Sequence, residues 1–413
     1  MDRRLISKLA LGSALALAMG PVLASGTAEA QTKEVKVALI APLSGPWARQ
    51  GQLMQMGADM AIDEINKKGG IKALGGATMK LVVADAGDTA EKAKNAAQRL
   101  LSQEPDLVGG TGAWLSSFTL AVTEVTERAQ LPWLTLSYSD AITSRGYKYV
   151  FQTAPTADRQ AKEVLPTIMK LAEAAGAKTP QTIGIVMDNT AANVSYVKPM
   201  HEGGLAQYKL KLVVDETYTP PLSDATPLIQ KVRSNRPDFL LLLSSNVPDD
   251  KMLLEKLSEF GLGVSKLPTI GSGTHMGTPE LKKVTDPELL EGLITGAADW
   301  GLKGQEDIIA EFKKRTGEPW MNQDSIMTYG DMWLLKEAIE RAGAADKVKV
   351  GAELHKIDLK EGPAAVAYPG PVKFDENGHR VDAPLILVQW QKGEAVSVYP
   401  TDRALAKPVW PKQ

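Results

Sequence analysis

The residues in this chain that could do chemistry are hydroxyls, amides and aromatic rings gathered in short bends. The densest set lies in residues 107–143. An apolar run at Leu107-Val108 leads into Gly109-Gly110-Thr111-Gly112-Ala113-Trp114-Leu115-Ser116-Ser117, and a second run, Leu131 to Leu136, ends in Ser137-Tyr138-Ser139-Asp140. Such groups bind by hydrogen bonding and ring contact. A helix opening near Ser116 would present free N–H groups and the positive end of its dipole, which suits a carboxylate. Ser116 and Ser117 read equally as caps of that helix, and the two roles are compatible. Trp47 occupies a similar bend, and the second half of the chain repeats the pattern at Asp188, Asn189, Asn193, Ser245, Asn246, Ser272, Thr274 and His275. His275 either donates to a carboxylate or sits exposed in its loop. The chemistry implied is non-covalent capture of a small anionic or zwitterionic ligand.

Catalytic patterns are missing. Gly110 and Gly112 would need a glycine at 115 to complete G-x-G-x-x-G, and Leu115 stands there. There is no P-loop, no G-x-S-x-G elbow and no H-E-x-x-H. The four histidines, His201, His275, His355 and His379, have no metal-ligand spacing, and the chain has no cysteine. Neither an enzyme nor a cofactor or metal is expected.

The elements that must position these residues alternate regularly. Residues 35–41, 79–84, 105–109 and 131–136 read as strands, each followed by a polar bend. Helical spacing of apolar residues marks 50–67, 90–102 and 116–128. Residues 149–155 read as an extended crossing segment, after which the alternation restarts. Helices are expected at 157–176, 195–208, 225–234 and 249–260, and strands at 182–187, 211–218, 237–243 and 267–270. A strand at 293–300 leads to a second crossing, followed by helices at 305–316 and 324–342, the latter amphipathic. Residues 372–380 and 385–391 read as an antiparallel pair turned at Asn377-Gly378. Alternation of this kind implies α/β lobes built on doubly wound parallel sheets, with ligands held at the carboxyl ends of the strands. Trp133, Trp333 and Trp390 fall inside periodic elements and read as packing residues, whereas Trp47, Trp114 and Tyr138 sit in bends where a ligand-facing role is more natural. Trp300, at the second crossing, fits either role.

At 413 residues the chain exceeds one ordinary core, so two lobes are expected. The net charge is −2, and the mature chain stands near −3 once residues 1–30 are removed, which argues against a nucleic-acid partner. Residues 1–30 read as a secretory signal: Arg3, Arg4 and Lys8, an apolar stretch over 9–19, and Ala28-Glu29-Ala30 as the cleavage site after Ala30. The expected location is the periplasm.

Several segments then carry a family resemblance. Ile40-Ala41-Pro42-Leu43-Ser44-Gly45-Pro46, residues 57–70 with Asp63-Glu64-Ile65-Asn66, Tyr149-Val150-Phe151-Gln152-Thr153-Ala154-Pro155 and Phe374-Asp375-Glu376-Asn377-Gly378 resemble the periplasmic leucine/isoleucine/valine-binding proteins, the receptors of branched-chain-amino-acid-type ABC importers. The resemblance implies the type I periplasmic binding protein fold, two lobes joined by three crossing strands that close like a hinge. On that pattern residues 34–154 plus 300–366 form lobe 1, residues 155–299 plus 367–402 form lobe 2, and 403–413 are a tail, frayed or strapped. It also implies a monomer that binds an amino acid or related carboxylate and docks on an inner-membrane permease. The carboxylate would be held by Ser116 or Ser117 with Ser137 and Ser139. Trp47, Trp114, Tyr138, Asn193, Asn246, Thr274 and His275 complete the expected ligand-binding set. The chain departs from the family pattern at Ala192-Asn193 and at Gly271-Ser272-Gly273-Thr274-His275, which lacks the acid that meets an ammonium group. Together with the added Trp114, this makes an aromatic carboxylate without an ammonium group the alternative ligand. A periplasmic sensor without a transport role is the alternative class.

Overall fold

A computed structural model describes residues 34–410; the signal segment and its cleavage point lie outside them. Chain order begins β1 (Glu34–Ala41), α1 (Ala48–Lys67), β2 (Thr78–Asp85), α2 (Ala90–Gln103), β3 (Gly110–Gly112), α3 (Ser116–Arg128), β4 (Trp133–Thr135) and β5 (Val150–Gln152). These five strands form one parallel sheet in the order β2-β1-β3-β4-β5. Five of the eight residues of β1 form an unbroken buried run, as a central strand covered on both faces requires.

The chain continues as α4 (Ala157–Ala174), β6 (Thr182–Asp188), α5 (Ala191–Pro199), α6 (Leu205–Gln207), β7 (Lys211–Tyr218), α7 (Thr226–Asn235), β8 (Phe239–Leu243), α8 (Val247–Glu259), β9 (Thr269–Ser272), α9 (Pro279–Val284) and β10 (Ile294–Ala297). The single helix expected over 195–208 is instead α5 and α6 separated by a π-helical turn at Met200–Gly204, where Gly203 takes φ +109. After β10 come α10 (Glu306–Thr316), α11 (Gln323–Ala342), α12 (Lys347–Leu354), β11 (Asp358–Leu359), α13 (Pro363–Ala367), β12 (Val372–Lys373), β13 (Ile386–Gln391) and β14 (Glu394–Tyr399). The second sheet has the order β14-β13-β10-β9-β8-β6-β7, parallel except for β13 and β14.

Two further expectations need correction, and the structure decides a third between its alternatives. Residues 372–380 do not pair with 385–391. β12 pairs with β11, Asn377-Gly378 closes a small turn between Phe374 and Arg380, and β13 pairs with β10 and β14. Asp375 ties that turn by accepting from the N–H groups of Asn377 and His379, so the turn chemistry is used without the strand pairing. The helix at 323–342 is buried nearly all round over its first three turns, because it lies between α1, α12 and α13. A Cβ on Gly57 of α1 would lie 2.0 Å from the Ser325 carbonyl oxygen, so the two helices meet backbone to backbone. The tail after Pro400 is strapped: Gln389 exchanges hydrogen bonds with the Val409 backbone, and Gln391 Nε2 donates to the Lys407 carbonyl.

Each sheet reverses its strand order once, between β1 and β3 in the first and between β6 and β8 in the second. A crevice at the carboxyl edge of such a switch point is the natural ligand site of an open α/β sheet. Among the described residues no helix is long and apolar enough to cross a membrane.

Candidate functional site

A cleft at these carboxyl edges holds about 440 Å³ of empty space, counting the solvent at its mouth. The first sheet contributes Trp114, Leu115 and Ser116 after β3, and Leu136, Ser137 and Tyr138 after β4. From the second come Ala192 and Asn193 after β6, Ser244 and Ser245 after β8, and Ser272 to His275 at the end of β9; Gln323, at the start of α11, closes the wall. No lysine, arginine, aspartate or glutamate lines it.

The α3 end is built to meet an anion. The first intrahelical bond is Thr119 N–H to Leu115 C=O, so the N–H groups of Ser116, Ser117 and Phe118 have no acceptor in the helix. Neither serine caps it. Leu115 is the N-cap and makes no side-chain bond, while Ser116 Oγ accepts from Tyr138 N–H at 3.2 Å and Ser139 N–H at 3.1 Å. Ser116 thereby staples the two bends together and keeps its own O–H free to donate. The bend before it demands glycine at 112: φ is +132, and a Cβ would lie 1.9 Å from the Ile40 carbonyl oxygen.

Several other polar groups of the wall are engaged within the protein. Ser137 Oγ donates to Trp114 C=O at 2.7 Å and shares a 2.7 Å bond with Thr119 Oγ1. Tyr138 O–H donates to Gln323 Oε1 at 2.6 Å, and burial pushes its phenol up. Asn193 Nδ2 donates to Asp188 Oδ1 and to Leu243 C=O. Asp324, one residue behind the cavity, accepts from Trp114 Nε1 at 2.9 Å, from Thr274 Oγ1 and from Asn322 Nδ2. Burial pushes its carboxyl up to about 6 against the pull of those donors.

His275 is buried, not exposed. Its Nε2 lies 3.5 Å from Asp250 Oδ2 and 3.4 Å from Ser244 Oγ, and Ser244 Oγ donates to Asp250 Oδ1. Burial works against the imidazolium, but the Asp250 carboxylate outweighs it and raises the histidine. Burial likewise raises Asp250.

Of the residues singled out in the sequence, Trp114, Ser116, Ser137, Tyr138, Asn193, Ser245, Ser272, Thr274 and His275 come together in this cavity. Four others of the expected ligand-binding set stand beside it. Trp47 packs edge-on against Phe118 and donates Nε1 to Ser245 C=O at 2.9 Å, joining the two sheet edges. Ser117 is half-buried one step along α3, and Ser139 Oγ bonds Ser195 Oγ at 2.8 Å. Asn246 caps α8, exchanging bonds with Asp249. Gln323 and Asp324 went unread because nothing local marks them: they sit at the head of a helix whose apolar residues suggest packing. Ser244 has a local signal, since it directly follows β8 and precedes Ser245 in the same polar bend. Among the described residues no cluster of His, Asp and Glu is arranged to hold a metal.

Residues 34–395 match the family described as periplasmic binding protein. A Leu/Ile/Val-binding protein homolog 8 of Brucella melitensis is 26% identical over 97% of this chain and 98% of its own length. The fold superposes on a Streptococcus pneumoniae LivJ, a branched-chain amino acid transporter substrate-binding protein in complex with isoleucine, with a TM-score of 0.73 at 19% identity over 88% of this chain and all of that one. It also superposes on a solute-binding protein of a Rhodopseudomonas palustris ABC transporter in complex with benzoate, with a TM-score of 0.74 at 17% identity over 92% of this chain and 99% of that one.

Proposed function

The chain belongs to the periplasmic binding protein family, and from that premise we propose that it captures a small carboxylate with an apolar, aromatic body and no ammonium group. The family and the structural neighbours are solute-binding receptors of the branched-chain-amino-acid ABC transporter type, not enzymes. On this reading the carboxylate rests on the α3 N-terminus and the Ser116 hydroxyl, and the body lies against Trp114, Leu136 and Tyr138. Closure of two lobes buries the ligand, and the closed form docks on an inner-membrane permease from the periplasm. The mechanism is a population shift toward the closed state, driven by tighter binding there.

The observation carrying this choice is the absence of any acidic residue from the cavity wall. An ammonium group buried there without a counter-charge would cost several kcal/mol, and Asp324 already has its oxygens engaged by three donors. An α-amino acid is the second reading. It is favoured by Asp188 Oδ2, which is buried without a partner directly behind Asn193, and by the isoleucine-bound neighbour. The benzoate-bound neighbour supports the first.

A thermal-shift screen with leucine, isoleucine, valine, phenylalanine, benzoate, 4-hydroxybenzoate and a hydroxycinnamate separates the two. A ligand at about 100 times its Kd adds roughly 2.7 kcal/mol of stability. The aromatic acids are expected to shift the melting temperature and the amino acids not to. A shift with the amino acids alone would overturn the choice and point to Asp188.

A further inference from the structure

We propose that Asn193 is a specificity-determining residue whose side-chain oxygen selects carboxylates that also carry a hydroxyl donor on the body. This rests on the carboxylate reading above. Asn193 stands in the first turn of α5, lines the cavity and is only 4% exposed. Its amide has one orientation, because Nδ2 faces two groups that can only accept, Asp188 Oδ1 at 2.8 Å and Leu243 C=O at 2.9 Å. A flipped amide would set its oxygen against both. Oδ1 is therefore turned away from them and accepts from no donor among the described residues. Unlike Asp188 Oδ2 behind it, this oxygen is not sealed in: it keeps accessible surface, on the cavity that Asn193 borders.

The other free side-chain groups of the wall are donors. Ser116 keeps its O–H for a ligand, and the Ser272 hydroxyl has no partner among the described residues and is likewise not sealed in. Gln323 Oε1 accepts from Tyr138 O–H and Ala298 N–H, which fixes that amide with Nε2 free and open to the cavity. Each of these three can meet a carboxylate. Asn193 Oδ1 cannot: it repels a carboxylate, and against a hydrocarbon ring it loses water and gains no donor, which costs the desolvation of an unpaired acceptor. An ammonium group would meet it but finds no counter-charge in this wall. A hydroxyl supplies the missing donor and leaves its own lone pairs for the donors of the wall.

Isothermal titration of benzoate, 3- and 4-hydroxybenzoate and 3- and 4-fluorobenzoate tests the assignment, since fluorine fills much of the space of a hydroxyl but cannot donate. The wild type is expected to bind one hydroxybenzoate at least about ten-fold tighter than both benzoate and the matching fluorobenzoate, as sites built around a hydroxyl reject analogues lacking it. Asn193→Leu should bring that ratio to about one, whereas a role in the fold alone would weaken all five acids together and leave the ratio standing. If Asn193→Leu does not fold because Asp188 and the Leu243 carbonyl lose their donor, Asn193→Ala, which leaves room for water at both, carries the same comparison. Equal binding of the hydroxy and fluoro acids by the wild type, or a ratio that survives the loss of the Asn193 amide, overturns the assignment and leaves the carboxylate reading standing. Binding of leucine with none of the five acids overturns both.

Discussion

Replacing Ser116 by alanine separates the two jobs of one hydroxyl. Its oxygen accepts the Tyr138 and Ser139 N–H groups at 3.2 and 3.1 Å, and its proton is left for a ligand. Ser139 is buried, so its N–H loses an acceptor that water replaces poorly, at a cost of about 1–3 kcal/mol. Tyr138 N–H, nearer the cavity, finds water more readily and adds little. The ligand loses a charge-assisted bond, about 1.5–3 kcal/mol or roughly 10- to 150-fold in Kd. The two released N–H groups can turn part of their donation to the carboxylate, which places the expected loss near the lower bound, about ten-fold. Titration calorimetry with the best ligand from the screen, run beside thermal melts of the ligand-free protein, reads both effects. Ser117→Ala, which removes a half-buried hydroxyl outside the cavity, should change neither by more than about two-fold or 0.5 kcal/mol. An unchanged Kd for Ser116→Ala together with a lowered melting temperature would show that the hydroxyl is only a staple and that the carboxylate sits elsewhere.

Further expectations concern the frame. Burial pushes the Asp299 carboxyl up to about 7, against hydrogen bonds from Gln305 and the Trp300 N–H. Because this folded value lies above the unfolded one, the native state holds the proton longer, and the contribution of Asp299 to stability falls as pH rises from about 4 to 7. The span is worth about 4 kcal/mol; urea titrations at pH 5 and 7.5 should show a flatter dependence in Asp299→Asn, and an identical slope would refute the assignment. Gly57→Ala should destabilise by about 3 kcal/mol or more, read by urea unfolding, since its methyl group meets the Ser325 carbonyl of the facing helix. Arg49 joins the start of α1 to Glu280 of α9 at 2.9 Å and to Glu318 at 2.6 Å. Arg49→Gln should weaken ligand binding by up to about five-fold through loss of about 1 kcal/mol of ion pairing between these helices, with the change in the dissociation rate and a reduced effect at high salt.

Much of the frame was readable because it rests on local periodicity. β8 is five apolar residues in a row, and its limits follow from Pro237 before it and Ser244-Ser245 after it. Strand-end bends could likewise be located, and a cavity at the carboxyl edges follows from the winding. What escaped the sequence was long-range. Asp324 reaches Thr274 across fifty positions, and Trp114 across more than two hundred, so the acid near the cavity has no local signature. The burial of α11 on every side is equally invisible to a periodicity argument, because polar residues such as Asp331 face internal partners: its carboxylate accepts from Thr111 and Tyr368. The burial of His275 is equally hidden, because a histidine between threonine and methionine in a loop carries no sign of the Asp250 beneath it.

The path of the chain between β10 and β13 has a consequence for how the molecule is assembled in time. The first sheet is complete in sequence by Gln152, yet the helix that covers α1, α11, lies at Gln323–Ala342. Its Ile326, Met327, Met332 and Leu335 belong to the same core as Val37, Leu39 and Met54 of the N-terminal elements. An N-terminal fragment emerging first therefore exposes an apolar α1 face with nothing to cover it, and the second sheet equally waits for β13 and β14 near the end. Both sheets thus take covering or pairing elements from the C-terminal part of the chain. Contacts of such high sequence separation slow folding, so a chain of this connectivity stays open longer than one whose lobes were each continuous in sequence.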